Sequence, residues 1–171
     1  MEIGHFYFLK NKYYEDFPDN YLMKNHEVIG GIIHNRPCLY VFQDTDTGIY
    51  WTVPISSKTE KFRNLYDDKI SRYGKCDTID FAYMLGHEKA FLIQNMCPIT
   101  CNYVENEYIS NGVPVQLDNT SQQRIISKAK KVLQLQRQGT SLVFPDILYI
   151  ESELKKQENS SEQTDDPHCI V

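Results

Sequence analysis

What this sequence lacks narrows it first. No apolar run approaches the roughly 20 residues that a helix needs to cross a bilayer. The opening Met1-Glu2-Ile3-Gly4-His5 has neither the basic region nor the apolar core of an export signal, so a cytoplasmic protein is expected. Cysteine is sparse. Cys38, Cys76, Cys97, Cys101 and Cys169 form an odd, irregularly spaced set, the pattern of reduced thiols rather than of a disulfide framework. Cys97-Pro-Ile-Thr-Cys101 has no second Cys or His pair beside it to complete a zinc tetrahedron and reads as structural. Cys169 stands third from the end, whereas a prenylation box needs it fourth. His87-Glu88 is not the paired-His helix motif of zinc peptidases. A hairpin could gather Asp77, Asp80 and Glu88, yet Glu88-Lys89 lacks the acid-x-lysine spacing of metal-dependent nucleases. No metal and no cofactor are expected. No internal repeat is visible.

The 171 residues, 41% of them hydrophobic, suit one domain of ordinary size. The formal net charge of −5 is unevenly spread. Residues 151–171 hold two lysines against six acids, which leaves the first 150 residues with 16 basic and 17 acidic side chains. Positive charge gathers at residues 56–75 and again at 119–138, where Arg124, Lys128, Lys130, Lys131 and Arg137 meet no acid. A near-neutral total can conceal a basic face that attracts polyanions, although a charge run is more often solvated helix surface.

Short strands dominate the first half. Phe6–Leu9, Val28–Ile33, Cys38–Phe42 and Ile49–Val53 read as strands, and Asp44-Thr45-Asp46-Thr47-Gly48 is a hairpin turn between the last two. The two glycines inside Val28–Ile33 predict one sharply bent strand. A second hairpin joins Thr78–Met84 to Ala90–Gln94. Many short strands around a small core predict an α+β fold: a small, strongly curved antiparallel sheet or β-barrel with added helices. One helix is expected over Ser57–Tyr73. Ser57-Lys58-Thr59-Glu60 forms its capping box, Phe62, Leu65, Tyr66, Ile70 and Tyr73 its buried stripe, and Gly74 its stop. A second is expected from about Thr120 to Gln138, capped by Asp118 or Asn119 and ended by Gly139. Its Ile125, Ile126, Ala129, Val132 and Leu133 face inward, while Arg124, Lys128 and Lys131 share another face. A weaker helix follows Pro145. Residues 1–156 are expected to form one globular unit and 157–171 a disordered acidic tail.

The segment Pro54-Ile55-Ser56-Ser57-Lys58-Thr59-Glu60-Lys61 is the most informative. Two hydroxyls and a lysine arrive where a strand ends and a helix starts, and a helix N-terminus suits phosphate because its amides are unpaired and partially positive. The bland alternative is that Ser57 only caps the helix and Lys58 is only solvated. Ahead of it, Ile33-His34-Asn35-Arg36-Pro37 offers a proton carrier and a bidentate phosphate ligand between two strands. Tyr7, Lys10, Lys12, Tyr13 and Tyr14 interleave aromatic and basic groups, a mixture compatible with stacking on bases while touching phosphates.

Taken in order, Phe6-Tyr7 with Tyr13, Arg36-Pro37 before a strand, and Pro54-Ile55-Ser56-Ser57-Lys58 resemble the ToxN/AbiQ toxins of type III toxin–antitoxin systems. Asp77-Thr78-Ile79, Ala90-Phe91-Leu92-Ile93-Gln94-Asn95 and Lys128-Ala129-Lys130-Lys131-Val132-Leu133 look closest to the CptN branch, and the likeness runs to about Ile150. The resemblance implies an endoribonuclease on a Kid/MazF-like barrel that cuts cellular mRNA without a metal. It also implies a partner, a small repetitive antitoxin RNA folded as a pseudoknot, which the toxin processes, which inhibits it, and with which it builds closed assemblies. Phage defence is a frequent role of such systems. Neither a membrane nor DNA is implied. The family's basic residue falls on Arg36, its hydroxyl pair on Ser56 and Ser57, and its early aromatics on Tyr7 and Tyr13. Its lysine lies two residues beyond the second hydroxyl, where this chain has Thr59, so the part passes to Lys58 or Lys61.

The implied reaction is attack of the RNA 2′-hydroxyl on the adjacent phosphorus, giving a 2′,3′-cyclic phosphate and a 5′-hydroxyl. It needs alignment, proton transfer and stabilised phosphorane oxygens. A lysine acting as general base must titrate well below about 10.4, which neighbouring cations favour. Otherwise Lys58 stabilises charge, and His34 or Tyr13 moves the proton. The rival reading is a non-catalytic RNA-binding module using Arg124, Lys128 and Lys131. A third is an interaction protein whose helices only pack.

Overall fold

Short apolar runs separated by tight turns make strands the commonest element of the first 110 residues, and the helices come where the apolar spacing changes to three and four. In the computed structural model, β1 (Phe6–Leu9) leads into a short helix α1 (Asn11–Asp16). Four strands follow: β2 (His26–Ile29), β3 (Ile32–Asn35), β4 (Cys38–Gln43) and β5 (Tyr50–Ser56). Next come α2 (Thr59–Tyr73), β6 (Asp80–Met84), β7 (His87–Phe91), β8 (Cys97–Ile99) and β9 (Val104–Glu107). A small ribbon of β10 (Ile109–Ser110) and β11 (Val113–Pro114) precedes α3 (Asn119–Arg137) and α4 (Ile147–Ser161). The structure describes residues 1–29 and 31–161, without the side chains of 26–29, 32–34 and 161.

Seven strands form the main sheet in the order β6-β7-β5-β4-β1-β9, with β8 beside the first half of β5. Every described strand pair is antiparallel. The fold is therefore α+β, as expected. The path does not close into a barrel among the described residues. Register shifts between Tyr40 and Phe42 and between Phe8 and Leu9 mark bulges, which bend a sheet locally. Both predicted hairpins are present, the second with its return strand at His87–Phe91 rather than Ala90–Gln94. The second turns tightly on Leu85 (φ 50°) and Gly86 (φ 78°), both left-handed, as a two-residue turn that matches strand twist requires.

One continuous core lies between the sheet and α3 and α4. Phe6, Leu39, Ile49 and Trp51 from the strands meet Ile125, Ala129 and Val132 from α3 and Ile147, Ile150 and Leu154 from α4. Each fully buried large side chain is worth roughly 1.5–3 kcal/mol. A smaller cluster of Phe62, Cys76, Ile79, Ala90 and Leu92 anchors α2. No helix among the described residues is long and apolar enough to cross a membrane. The four described cysteines are free thiols.

Four expectations need correction. Val28–Ile33 is not one bent strand: it straddles β2 and β3, a separate antiparallel pair in which Ile29 faces Ile32, and Gly30 lies outside the described residues. The apolar stripe of α2 is not buried as a whole, because only the start of the helix covers the sheet edge. Phe62 is buried, whereas Leu65, Ile70 and Tyr73 are exposed. The tail does not begin at Gln157, since α4 continues to Ser161 and the Gln157 side chain accepts a hydrogen bond from Tyr103 Oη at 3.2 Å. Residues 162–171, which include Cys169, lie outside the described residues.

The fourth correction bears on function. Ser57 does not cap α2: the helix starts at Thr59, Lys58 holds the cap position, and its side chain makes no capping hydrogen bond. Asp118 does cap α3, its carboxylate accepting from the Ser121 amide at 2.9 Å. Ser57→Ala is accordingly expected to move the melting temperature by less than about 1 °C, as surface changes away from caps do. Asp118→Ala is expected to lower it clearly. Thermal unfolding followed by circular dichroism compares the two, and a larger loss from Ser57→Ala would restore the capping role.

Candidate active site

Two strand registers assemble the site. In the β4–β5 pair Cys38 faces Pro54, so the same register carried past the end of β4 sets Arg36 opposite Ser56. In the β5–β7 pair Ile55 faces Phe91 and Ser56 faces Ala90, which sets Lys89 opposite Ser57. The contact follows: Lys89 Nζ donates to Ser57 Oγ at 2.8 Å. Ser56 is buried and its Oγ accepts the Lys58 amide at 3.2 Å, while Ser57 and Lys58 are exposed.

Both hydroxyls therefore accept from protein nitrogens. Each keeps its own hydrogen, which is available to donate to a bound anion. The first turn of α2, to which the Lys58 side chain makes no capping hydrogen bond, adds the partial positive charge of a helix N-terminus. Arg36 is half-buried and held from two sides: its amide donates to Asn25 O at 2.8 Å and its Nη1 to Lys24 O at 3.0 Å.

Two hollows meet at these residues. One, of about 480 Å³, is lined by Ser56, Ser57, Arg36, Lys58 and Lys89, with Phe8, Tyr108 and Met84 around them. The Phe8 and Tyr108 rings pack edge to face at 5.4 Å. The other, of about 780 Å³, adds Lys24 and Lys61. Arg36, Ser56 and Lys58 line both, so they stand at the divide between the two. Among the described residues the two linings hold Lys24, Arg36, Lys58, Lys61 and Lys89 and no acid. In a chain of net charge −5 this is a local reversal of sign.

The basic cluster at 56–75 thus divides. Lys58 and Lys61 line the hollows. Arg63 pairs with Glu88 at 2.6 Å and lies over the Phe81 ring, Arg72 pairs with Asp68, and Lys69 Nζ donates to Thr78 Oγ1 and Gln94 Oε1.

Several predicted site residues lie elsewhere. Tyr13 is fully buried, its Oη donates to Pro98 O at 2.8 Å, and burial pushes its phenol well above the ordinary value. Its burial leaves no ring face for a base to stack on. Tyr7 is also buried. Its oxygen accepts the Glu2 amide at 2.8 Å, and its pKa is pushed up to about 12, chiefly by burial against the opposing hydrogen bond from Glu2. Lys10 is exposed and donates to Asn102 O, away from both hollows. His34 sits in β3 rather than in a loop, and its side chain lies outside the described ones.

The basic face of α3 is not an open one. Arg124 meets both oxygens of Asp80 at 3.0–3.1 Å, Lys128 reaches Asp80 at 3.0 Å, and Lys131 reaches Asp77 at 2.6 Å. The partners come from the start of β6 and the turn before it, so local sequence shows no acid there. The same pairs dissolve the acidic trio considered for a metal, since Glu88 is taken by Arg63. Among the described residues, no three His, Cys, Asp or Glu side chains converge as metal ligands.

Sequence reasoning missed Lys24 and Lys89. Each lies far along the chain from the serines, and nothing short of the strand pairings signals its arrival. A scan against protein-family models finds no match for this chain, and a search of curated proteins finds none either.

Proposed function

We propose that this protein is an endoribonuclease of the kind its sequence resembles, a toxin of the ToxN/AbiQ/CptN type, acting in the cytoplasm. One observation carries the reading: Ser56 and Ser57 each accept a hydrogen bond from a protein nitrogen beside two adjoining hollows whose linings hold, among the described residues, five cations and no acid. Such a surface suits a phosphodiester chain better than a neutral or cationic substrate. With the scissile phosphate seated on Ser56 and Ser57, Lys58 and Arg36, which line the same hollow, supply the positive charge that neutralises the phosphorane oxygens. The RNA's own 2′-hydroxyl attacks: the O2′–P bond forms as the P–O5′ bond breaks, and the proton given up at the 2′-oxygen is balanced by one taken up at the departing 5′-oxygen. The bulk of the barrier reduction is assigned to this preorganised positive field. Lys58 takes the part of the family's lysine in preference to Lys61, because Lys58 lines both hollows and Lys61 only one.

On this reading the open, bulged sheet corresponds to the family's Kid/MazF-like barrel, and the partner is a repetitive antitoxin RNA whose strand fills the hollows. The rival based on α3 loses its main support, because Arg124, Lys128 and Lys131 already face Asp80 and Asp77. Incubating the purified protein with RNA in EDTA tests the proposal. The expected result is fragments ending in 2′,3′-cyclic phosphate and beginning with 5′-hydroxyl. Retention of RNA without cleavage would favour a binding module, and neither outcome an interaction protein. Short tandem repeats upstream of the coding region would add the antitoxin.

A further inference from the structure

We infer that Tyr21 and Phe144 form a stacking platform for one unpaired nucleobase of single-stranded RNA, at the end of the larger hollow. This deepens the reading above and rests on its RNA substrate. Both residues line that hollow together with Lys24, Arg36, Lys58 and Lys61. Their rings lie 5.8 Å apart at 41°, and they are 60% and 52% exposed. Single exposed aromatics are unremarkable, but here two sit side by side on backbone that is pinned. Asn95 Nδ2 donates to Tyr21 O at 3.0 Å, and the Phe144 amide donates to Gln94 O at 2.8 Å. The Asp19 carboxylate accepts the Tyr21 amide at 2.7 Å and the Asp146 amide at 2.9 Å, joining the two segments directly.

The surface so formed is apolar, firmly mounted and bordered by cations. That combination fits a ligand carrying flat apolar faces on a polyanionic chain. A duplex keeps its base faces inside its own stack, so an unpaired base is the better fit. The platform shares a hollow with the residues at the divide, so the stacked base belongs to a nucleotide flanking the scissile linkage.

The test measures binding of a labelled, unstructured eight-nucleotide RNA to the full chain in EDTA at several salt concentrations. Wild type is compared with Tyr21→Ala/Phe144→Ala and with Tyr21→Phe/Phe144→Tyr. The double-alanine variant is expected to bind about 10–100-fold more weakly, the size of losing one stacked base. The ring-swapped variant should stay within about threefold, and the salt slope should be unchanged because no phosphate contact is lost. Affinity within twofold for the double-alanine variant would overturn the platform. So would a loss that the ring swap fails to restore, or equal dependence on the rings for a duplex of the same length. If the rings matter for binding but wild type does not cleave, the endoribonuclease reading falls and the platform stands. If cleavage proceeds and the rings do not matter, the reverse holds. If wild type binds no RNA, both fall.

Discussion

Lys58→Ala is expected to slow RNA cleavage by about 10²–10⁴-fold, the range for removing a group that stabilises transition-state charge or moves a proton. Lys58 is exposed, lines both hollows and enters no ion pair among the described residues, so its ammonium is available to the phosphate. Its amide, which alanine retains, makes the bond to Ser56 Oγ, so the backbone at the start of α2 should hold its geometry. Circular dichroism and thermal unfolding should match wild type. Lys61→Ala is the internal control: it lies in the larger hollow alone and should cost no more than about tenfold, mainly through weaker RNA binding. Ser57→Ala removes one oriented donor and should fall between them, at about 10–100-fold. Single-turnover cleavage at saturating RNA separates chemistry from binding. Undiminished cleavage by both Lys58→Ala and Ser57→Ala would falsify the site assignment, and a larger effect of Lys61→Ala would pass the family's lysine role to that residue.

The second large effect concerns stability. Arg137 closes α3 and joins three elements: its Nη2 reaches Asp44 Oδ2 at 2.7 Å in the β4–β5 turn and Glu151 Oε1 at 2.6 Å on α4. Its guanidinium also lies 6.0 Å from the centre of the Trp51 ring. Glu151 is 4% exposed, so removal of Arg137 strands a buried carboxylate beside a second one. Arg137→Met should cost about 3 kcal/mol, the low end for breaking a buried pair, because Lys155 still faces Glu151 at 3.2 Å. That corresponds to a melting temperature lower by about 10 °C in a domain of this size.

The loss should depend on pH in a definite direction. Burial works against the charged form of Asp44, but the hydrogen bonds from Arg137 and the Asp46 amide, with the charges of Arg137 and Lys155, outweigh it and hold the carboxyl below its ordinary value. A lowered folded value means the stabilisation is fully present above the unfolded carboxyl range, near pH 4, and disappears as pH falls through the folded value. The gap between wild type and Arg137→Met should therefore be widest near neutrality and shrink below about pH 4. Urea unfolding at pH 7 and pH 3 measures both points. An Arg137→Met variant as stable as wild type at pH 7 would refute the argument.

Much of the fold was legible locally. Asp44–Gly48 announced one hairpin, Leu85-Gly86 lay at the heart of another, and the Asp118 cap and Gly139 bracketed α3 within about a residue at each end. The bent strand at Val28–Ile33 misled because a Gly-Gly pair serves as well for a turn between two strands as for a kink within one. The stripe on α2 misled because apolar spacing marks a face without saying whether anything covers it.

By itself the sequence determined where hydroxyls and cations crowd a strand-to-helix junction, since that is a property of neighbours: Ser56, Ser57, Lys58 and Lys61 travel together in any fold. Only the tertiary structure decided which charges remain for a ligand. Strand register carried Arg36 and Lys89 to the serines, while the start of β6 and the turn before it laid Asp80 and Asp77 against α3 and cancelled its basic face. Burial in the core likewise withdrew the Tyr13 ring from stacking on a base. The physical reason is common to all three. Backbone propensity and turn chemistry act over a few residues, whereas pairing and desolvation depend on which distant segments the folded chain brings within a few ångströms.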